Sequence, residues 1–190
     1  MRFTRLLGTG IVALLALAAL IVTTTGIAIA QQVQWERIVG IQQGGDVVGS
    51  GTGQVTGGAP WETTRGSANV DLNSGEVRFF VQGLIIAVGS FAPLSGIPIG
   101  TPAGISEVKG TLVCNVDGST NSGNSVLVDT PAVSLDTQGN AFFTGSFVSA
   151  LPSSCGTASN DAFLIRIVQP TTFTNFWIAF GAVQNTGNHH

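Results

Sequence analysis

The sequence predicts an all-β protein built as a single antiparallel β-sandwich behind an N-terminal signal helix. Three observations predict it. Apolar and polar residues alternate with period 2 again and again past residue 31, with no sustained 3.6-residue period. Turn-forming Gly, Asn, Asp, Ser and Pro punctuate those runs at short intervals. Charged residues are only 9% of the chain against 44% hydrophobic, which opposes disorder and favours a packed core.

The N-terminus comes first. Arg2 and Arg5 precede an uncharged apolar run from Leu6 to Val22, and Ala28-Ile29-Ala30 gives a small-x-small cleavage pattern before Gln31. This is the layout of a secretory signal, so residues 1–30 are expected to be a signal peptide and 31–190 a single domain. The alternative is an uncleaved anchor, since the segment through Ile29 approaches the length of a membrane helix. Neither cysteine lies near residue 30, which excludes a lipid-modified N-terminus there.

The strands follow in order. Val33, Trp35, Arg37, Val39 and Ile41 share one face of a first strand, with Arg37 the dissenting member. Ala68, Val70 and Leu72 alternate with polar residues, as do Val77, Phe79 and Val81; Asn73-Ser74-Gly75 between them supplies a turn, so Ser67 to Leu84 reads as a hairpin with one buried face. Val108, Gly110, Leu112 and Cys114 share a face opposite Glu107, Lys109 and Thr111, which points Cys114 inward. Val126 and Val128 mark a short strand, and the chain restarts after Pro131 at Ala132 to Leu135. The turn Asp136-Thr137-Gln138-Gly139 leads into Asn140 to Val148, where Phe142 and Phe143 take opposite faces. Phe163, Ile165 and Ile167 line one face of the next strand, and Phe176, Ile178 and Phe180 a face of the last. About nine short strands of this kind suit a sandwich of Ig-like or jelly-roll-like type.

Two stretches break the rhythm. Gly44 to Gly58 and Val88 to Gly104, the latter with Pro93, Pro98 and Pro102, read as long loops. Loops of that length are places to look for a site. Between the first of them and the hairpin stands Pro60-Trp61. Large aromatics are buried on average, which makes Trp61 a plug over the open end of the sandwich. The functional alternative makes it an exposed ligand platform on which a sugar ring or a partner packs.

Cys114 and Cys155 are the only cysteines, and in an exported chain an even count reads as a disulfide. Closing a loop of that length stabilises by about 4 kcal/mol in the chain-entropy model. The spacing is far from C-x-x-C, and two thiols do not make a zinc site.

Past residue 30 the five basic residues, Arg37, Arg65, Arg78, Lys109 and Arg166, are scattered singly among ten acidic ones. No basic stripe forms, which excludes nucleic acid and an anionic membrane surface as partners. The only histidines, His189 and His190, end the chain, so no positioned imidazole is expected for a Ser-His-Asp or Cys-His apparatus or a metal site. Tyrosine is absent, and no P-loop, G-x-S-x-G or H-E-x-x-H occurs. Asp46, Glu62, Glu107, Asp117, Asp129 and Asp161 are the acids from which a hydrolase would draw its pair. Asn115 to Asn124 is dense in oxygen ligands of the kind calcium takes, but with Asp117 its only carboxylate it reads as a strand connection.

The segments Gly66-Ser67-Ala68-Asn69-Val70-Asp71-Leu72 and Gly75-Glu76-Val77-Arg78-Phe79-Phe80-Val81-Gln82-Gly83-Leu84 resemble the opening hairpin of CHRD-type extracellular domains. More broadly, Pro60-Trp61, Leu112-Val113-Cys114 and Leu151-Pro152-Ser153-Ser154-Cys155 make the chain similar to small exported bacterial β-sandwich proteins of unassigned activity. That resemblance implies a disulfide-linked sandwich and no activity.

The sequence therefore points to a secreted or cell-surface module that is not an enzyme, needs no cofactor, and binds an extracellular protein or polysaccharide or serves structurally. Membrane contact is expected only through an uncleaved signal segment. The alternatives are an extracellular polysaccharide hydrolase using two carboxylates, and a filament subunit donating Gln32 to Gln42 to a neighbour by strand addition.

Overall fold

The computed structural model describes residues 31–87, 98–155 and 160–186. The signal segment, most of Val88 to Gly104, and His189 and His190 lie outside them. Among the described residues helical structure is confined to short 3₁₀ turns, and no helix is long and apolar enough to cross a membrane.

The strands in chain order are β1 (Gln32–Gly40), β2 (Val47–Val48), β3 (Val55–Thr56), β4 (Trp61–Glu62), β5 (Arg65–Asp71), β6 (Glu76–Gln82), β7 (Ile85–Ile86), β8 (Glu107–Cys114), β9 (Val126–Asp129), β10 (Val133–Ser134), β11 (Ala141–Ser146), β12 (Ala162–Gln169) and β13 (Trp177–Thr186). Nine form one antiparallel sheet in the order β10-β8-β12-β13-β1-β5-β6-β11, with β9 also paired to β8. The other four make two small ladders, β2 with β3 and β4 with β7.

The sheet curls until its two halves face each other as a sandwich. Three strands separate β6 from β12 in the order, yet the Phe79 and Phe163 rings meet at 5.7 Å. Trp35 joins Phe163 at 5.6 Å and Phe143 stacks on Phe79 at 5.8 Å, so four aromatic rings from four strands fill the centre. Gly110 on β8 makes room for them: a Cβ there would lie 2.6 Å from the Phe163 ring and 2.9 Å from the Phe79 ring. The two ends of the strand order, β10 and β11, are joined by the turn at Asp136, whose carboxylate accepts the N–H groups of Gln138 and Asn140.

The hairpin β5–β6 forms as its alternation predicts. Ala68, Val70, Val77, Phe79 and Val81 are buried, and Gly75 turns the chain at φ +73°. Asp71 holds the turn by accepting the N–H groups of Asn73 and Ser74. β8 and β12 also keep their expected faces, with Val108, Leu112, Cys114, Phe163, Ile165 and Ile167 inside.

Three expectations need correction. The face assigned to the first strand is broken at Glu36-Arg37, both exposed, so that Ile38 takes the inward position where Arg37 would have been. Opposite the break, Val183 adopts φ +55°, so both strands of the pair are irregular there. Next, Gly44 to Gly58 is not a plain loop, because it carries β2, β3 and a 3₁₀ turn at Gly51–Gly53. Finally, Phe180 does not face the centre of the sandwich. Ala179 pairs with the inward Ile165, which turns Phe180, the partner of Leu164, to the opposite side. Gly58 lies over Ile178 on that side, and Gly57 bridges to Trp177. β1 itself lies between β13 and β5 of its own chain.

Cys114 at the end of β8 and Cys155 in a 3₁₀ turn form a disulfide with Cα atoms 4.7 Å apart, and both are buried. Unreduced protein in denaturant should therefore take up no iodoacetamide, and reduced protein should be alkylated at both cysteines. Alkylation without reduction would contradict the pairing.

Candidate functional site

Among the described residues, an apolar cleft forms around Trp61. Gly40 ends β1 beside β4, and a Cβ there would stand 2.2 Å from the Trp61 carbonyl oxygen, so only glycine admits the chain at this crossing. Trp61 N–H donates to the Ile41 carbonyl at 2.8 Å, and Trp61 pairs with Ile86 across β4–β7. Ala87 N–H in turn donates to the Pro60 carbonyl at 3.1 Å. These bonds fix the backbone that presents the indole.

The cleft encloses about 250 Å³. It is lined by Gly57, Gly58, Ala59, Trp61, Ile86, Ala103, Ile105, Ile167, Phe173 and Phe176. No wall residue carries a charge. Trp61 is 2% exposed, while Phe176, at 37%, stands where the cleft meets solvent. Trp61 is thus a wall of the cleft and not a projecting platform. A cavity of this size with a predominantly apolar lining suits an aromatic or branched apolar group.

The six acids singled out in the sequence are dispersed among different roles. Asp46 and Glu62 are exposed and Glu107 is half-buried. Asp129 sits in an ion cluster on the outward side of β8 and β12. Its carboxylate binds Lys109 Nζ at 2.6 Å and Arg166 at 3.2 Å, and accepts from Thr111 Oγ1 at 2.6 Å. Arg166 also donates to the backbone and side-chain oxygens of Asn175, at 3.2 and 3.1 Å. Burial pushes the Arg166 guanidinium below its ordinary value, and the Asp129 charge pulls it back. No local spacing announces this cluster, because Asp129 and Arg166 lie on different strands and meet only across β8.

The oxygen-rich loop after Cys114 is knitted to itself and its neighbours. Asn115 Oδ1 accepts from Ser119 Oγ, Thr120 N–H and Asn160 Nδ2, and Asp117 Oδ1 accepts from Ser119 N–H and Asn160 Nδ2. The Ser119 N–H, followed by the Asn160 amide, holds the Asp117 carboxyl below the usual carboxylate range. Ser50 ties the loop to the β2–β3 segment by donating to the Val116 carbonyl at 2.8 Å. Donors thus already occupy Asn115 Oδ1 and Asp117 Oδ1. Among the described residues no three His, Cys, Asp or Glu side chains cluster.

Asp161 immediately precedes β12 and is 6% exposed. One carboxylate oxygen accepts the Asn115 N–H at 3.0 Å; the other, Oδ2, is sealed from solvent and has no hydrogen-bond partner. Burial raises its carboxyl to about 6, against the pull of the Asn115 N–H. Because the folded value lies above the unfolded one of about 3.9, the folded state prefers the protonated acid. The stability this confers is complete below about pH 4 and is lost as pH rises through 6. We expect the unfolding midpoint of the wild type, taken relative to Asp161→Asn, to fall between those pH values. With partial solvation allowed for, the loss is no more than about 2 kcal/mol. Parallel pH profiles for the two proteins would disprove it. A carboxylate whose free oxygen is sealed from solvent is also poorly placed to reach a substrate as a general acid.

No family model, curated protein or solved structure matches the chain.

Proposed function

We propose that this protein is an exported, non-catalytic binding module that takes a small apolar group into the Trp61 cleft. The observation that carries the reading is the cleft: about 250 Å³ walled entirely by uncharged residues, in a sandwich whose carboxylates are paired, sealed or dispersed. The disulfide is compatible with an oxidising compartment, and together with the signal-like N-terminus it supports a secreted or cell-surface location. The likeness of β5–β6 to the opening hairpin of CHRD-type domains supports the same setting.

The test is titration with N-phenyl-1-naphthylamine, a neutral three-ring probe that fluoresces in apolar surroundings. The wild type should give a saturable rise in fluorescence. Phe176→Ala removes the most exposed wall of the cleft and should weaken binding severalfold with little effect on folding. Gly58→Ala places a Cβ no closer than 3.4 Å to any neighbour, so it should fold normally and narrow the cleft. Absence of a saturable signal in the wild type, or identical binding in both variants, would refute the cleft as the site.

A further inference from the structure

We infer that the outward face of β13-β1-β5-β6-β11 is a docking surface for a neutral polysaccharide, separate from the Trp61 cleft. Pairing register lays its side chains out in rows. Asn185, Gln34, Asn69, Arg78 and Thr144 are successive cross-strand partners, forming one line across five strands. The next line carries Ser67, Phe80 and Phe142, again direct partners. Neighbouring strands lie about 4.8 Å apart, so the first line extends roughly 19 Å, long enough for several sugar units of an extended chain.

The chemistry of these rows selects the partner. Side-chain amides and hydroxyls both donate and accept hydrogen bonds, as sugar hydroxyls do. Phe142 is 56% exposed and lies beside the half-buried Phe80, giving an apolar strip on which the C–H face of a pyranose ring can rest. The Arg78 guanidinium lies 5.7 Å from the centre of the Phe142 ring, at the junction of the amide row and the aromatic row. Two shallow grooves flank this strip. One of about 400 Å³ includes Asn69, Arg78 and Thr144, and one of about 380 Å³ includes Phe80, Gln82 and Phe142. Charge complementarity points to an uncharged polymer. Asp71 and Glu76 border the first groove and offset Arg78, so the face offers an acidic polymer no net attraction.

The experiment is native affinity electrophoresis of the folded domain in gels containing hydroxyethyl cellulose or laminarin, with alginate as the acidic comparator and a polymer-free gel as reference. At least one neutral polymer should retard the wild type and alginate should not. Phe142→Ala should bind about tenfold more weakly, the loss expected for one exposed aromatic contact, with an unchanged unfolding midpoint because the ring is exposed. Phe176→Ala in the cleft should be retarded like the wild type, so failure here leaves the cleft proposal standing and the reverse also holds. The inference is overturned if neither neutral polymer retards the protein, if alginate alone does, if Phe142→Ala is retarded equally, or if size-exclusion chromatography shows that Phe142→Ala merely dissolves a dimer.

Discussion

Asp129→Ala is expected to destabilise the folded protein by about 3 kcal/mol, the lower end of the range for breaking a buried ion pair by removing one partner, because the Asp129 side chain keeps 25% of its exposure. The side chains of Arg166 and Lys109 retain only 7% and 17% of their exposure, so neither is well hydrated once the carboxylate has gone. Two cations then face each other across β8 and β12, and the Thr111 hydroxyl loses its acceptor in a fully buried position. Urea unfolding measures the loss. Asp129→Asn, which keeps a carbonyl acceptor for Thr111, should fall between alanine and wild type. The pair Asp129→Leu with Arg166→Met should recover part of the deficit, because apolar replacement of a buried ion pair is often neutral. Equal stability of wild type and Asp129→Ala would show that the cluster is solvated and energetically idle.

The cluster also marks a limit of what the sequence conveys. Strand faces were legible in part: burial in the hairpin follows period-2 alternation, and the inward residues of β8 and β12 were placed correctly, but Thr111, Val113, Leu164 and Arg166 on the other face of those strands are buried as well. The even cysteine count anticipated the disulfide. Alternation fails where backbone irregularity intervenes. Nothing local in Glu36-Arg37 announces a change of face; it is settled by the pairing of β1 with an irregular β13. Likewise Phe176, Ile178 and Phe180 read as one apolar face, yet of the three only Ile178 is fully buried, and it is Ala179 that turns toward Ile165. The candidate sites were less legible still. Trp61 stood out beside Pro60, but its surroundings come from β7, the approach to β8, β12 and the turn after it, and no spacing rule connects those segments. Phe142 and Phe143 were separable into opposite faces; which of them faces out is decided by the register with β6.

Trp61→Ala distinguishes the two roles the indole was assigned, and its expected cost is about 3–5 kcal/mol, as for other buried aromatic truncations. The side chain is 2% exposed and forms a wall of the cleft, so its removal joins the cleft to the space the ring occupied. The cleft already opens to solvent at Phe176, so water can fill part of the enlarged space. That argues for the lower half of the range. The backbone should survive: Gly40 still admits the crossing, and the bonds from Trp61 N–H to Ile41 and from Ala87 N–H to Pro60 use main-chain atoms only. The variant should therefore unfold cooperatively at a lower denaturant concentration while retaining its β signature in the far ultraviolet. Naphthylamine binding should fall as well, because the largest wall of the cleft is gone. Trp61→Phe provides the separation, restoring most of the packing while changing the shape of the pocket. A midpoint equal to wild type for Trp61→Ala would rule out the plug. Undiminished probe binding in both variants would remove Trp61 from the site.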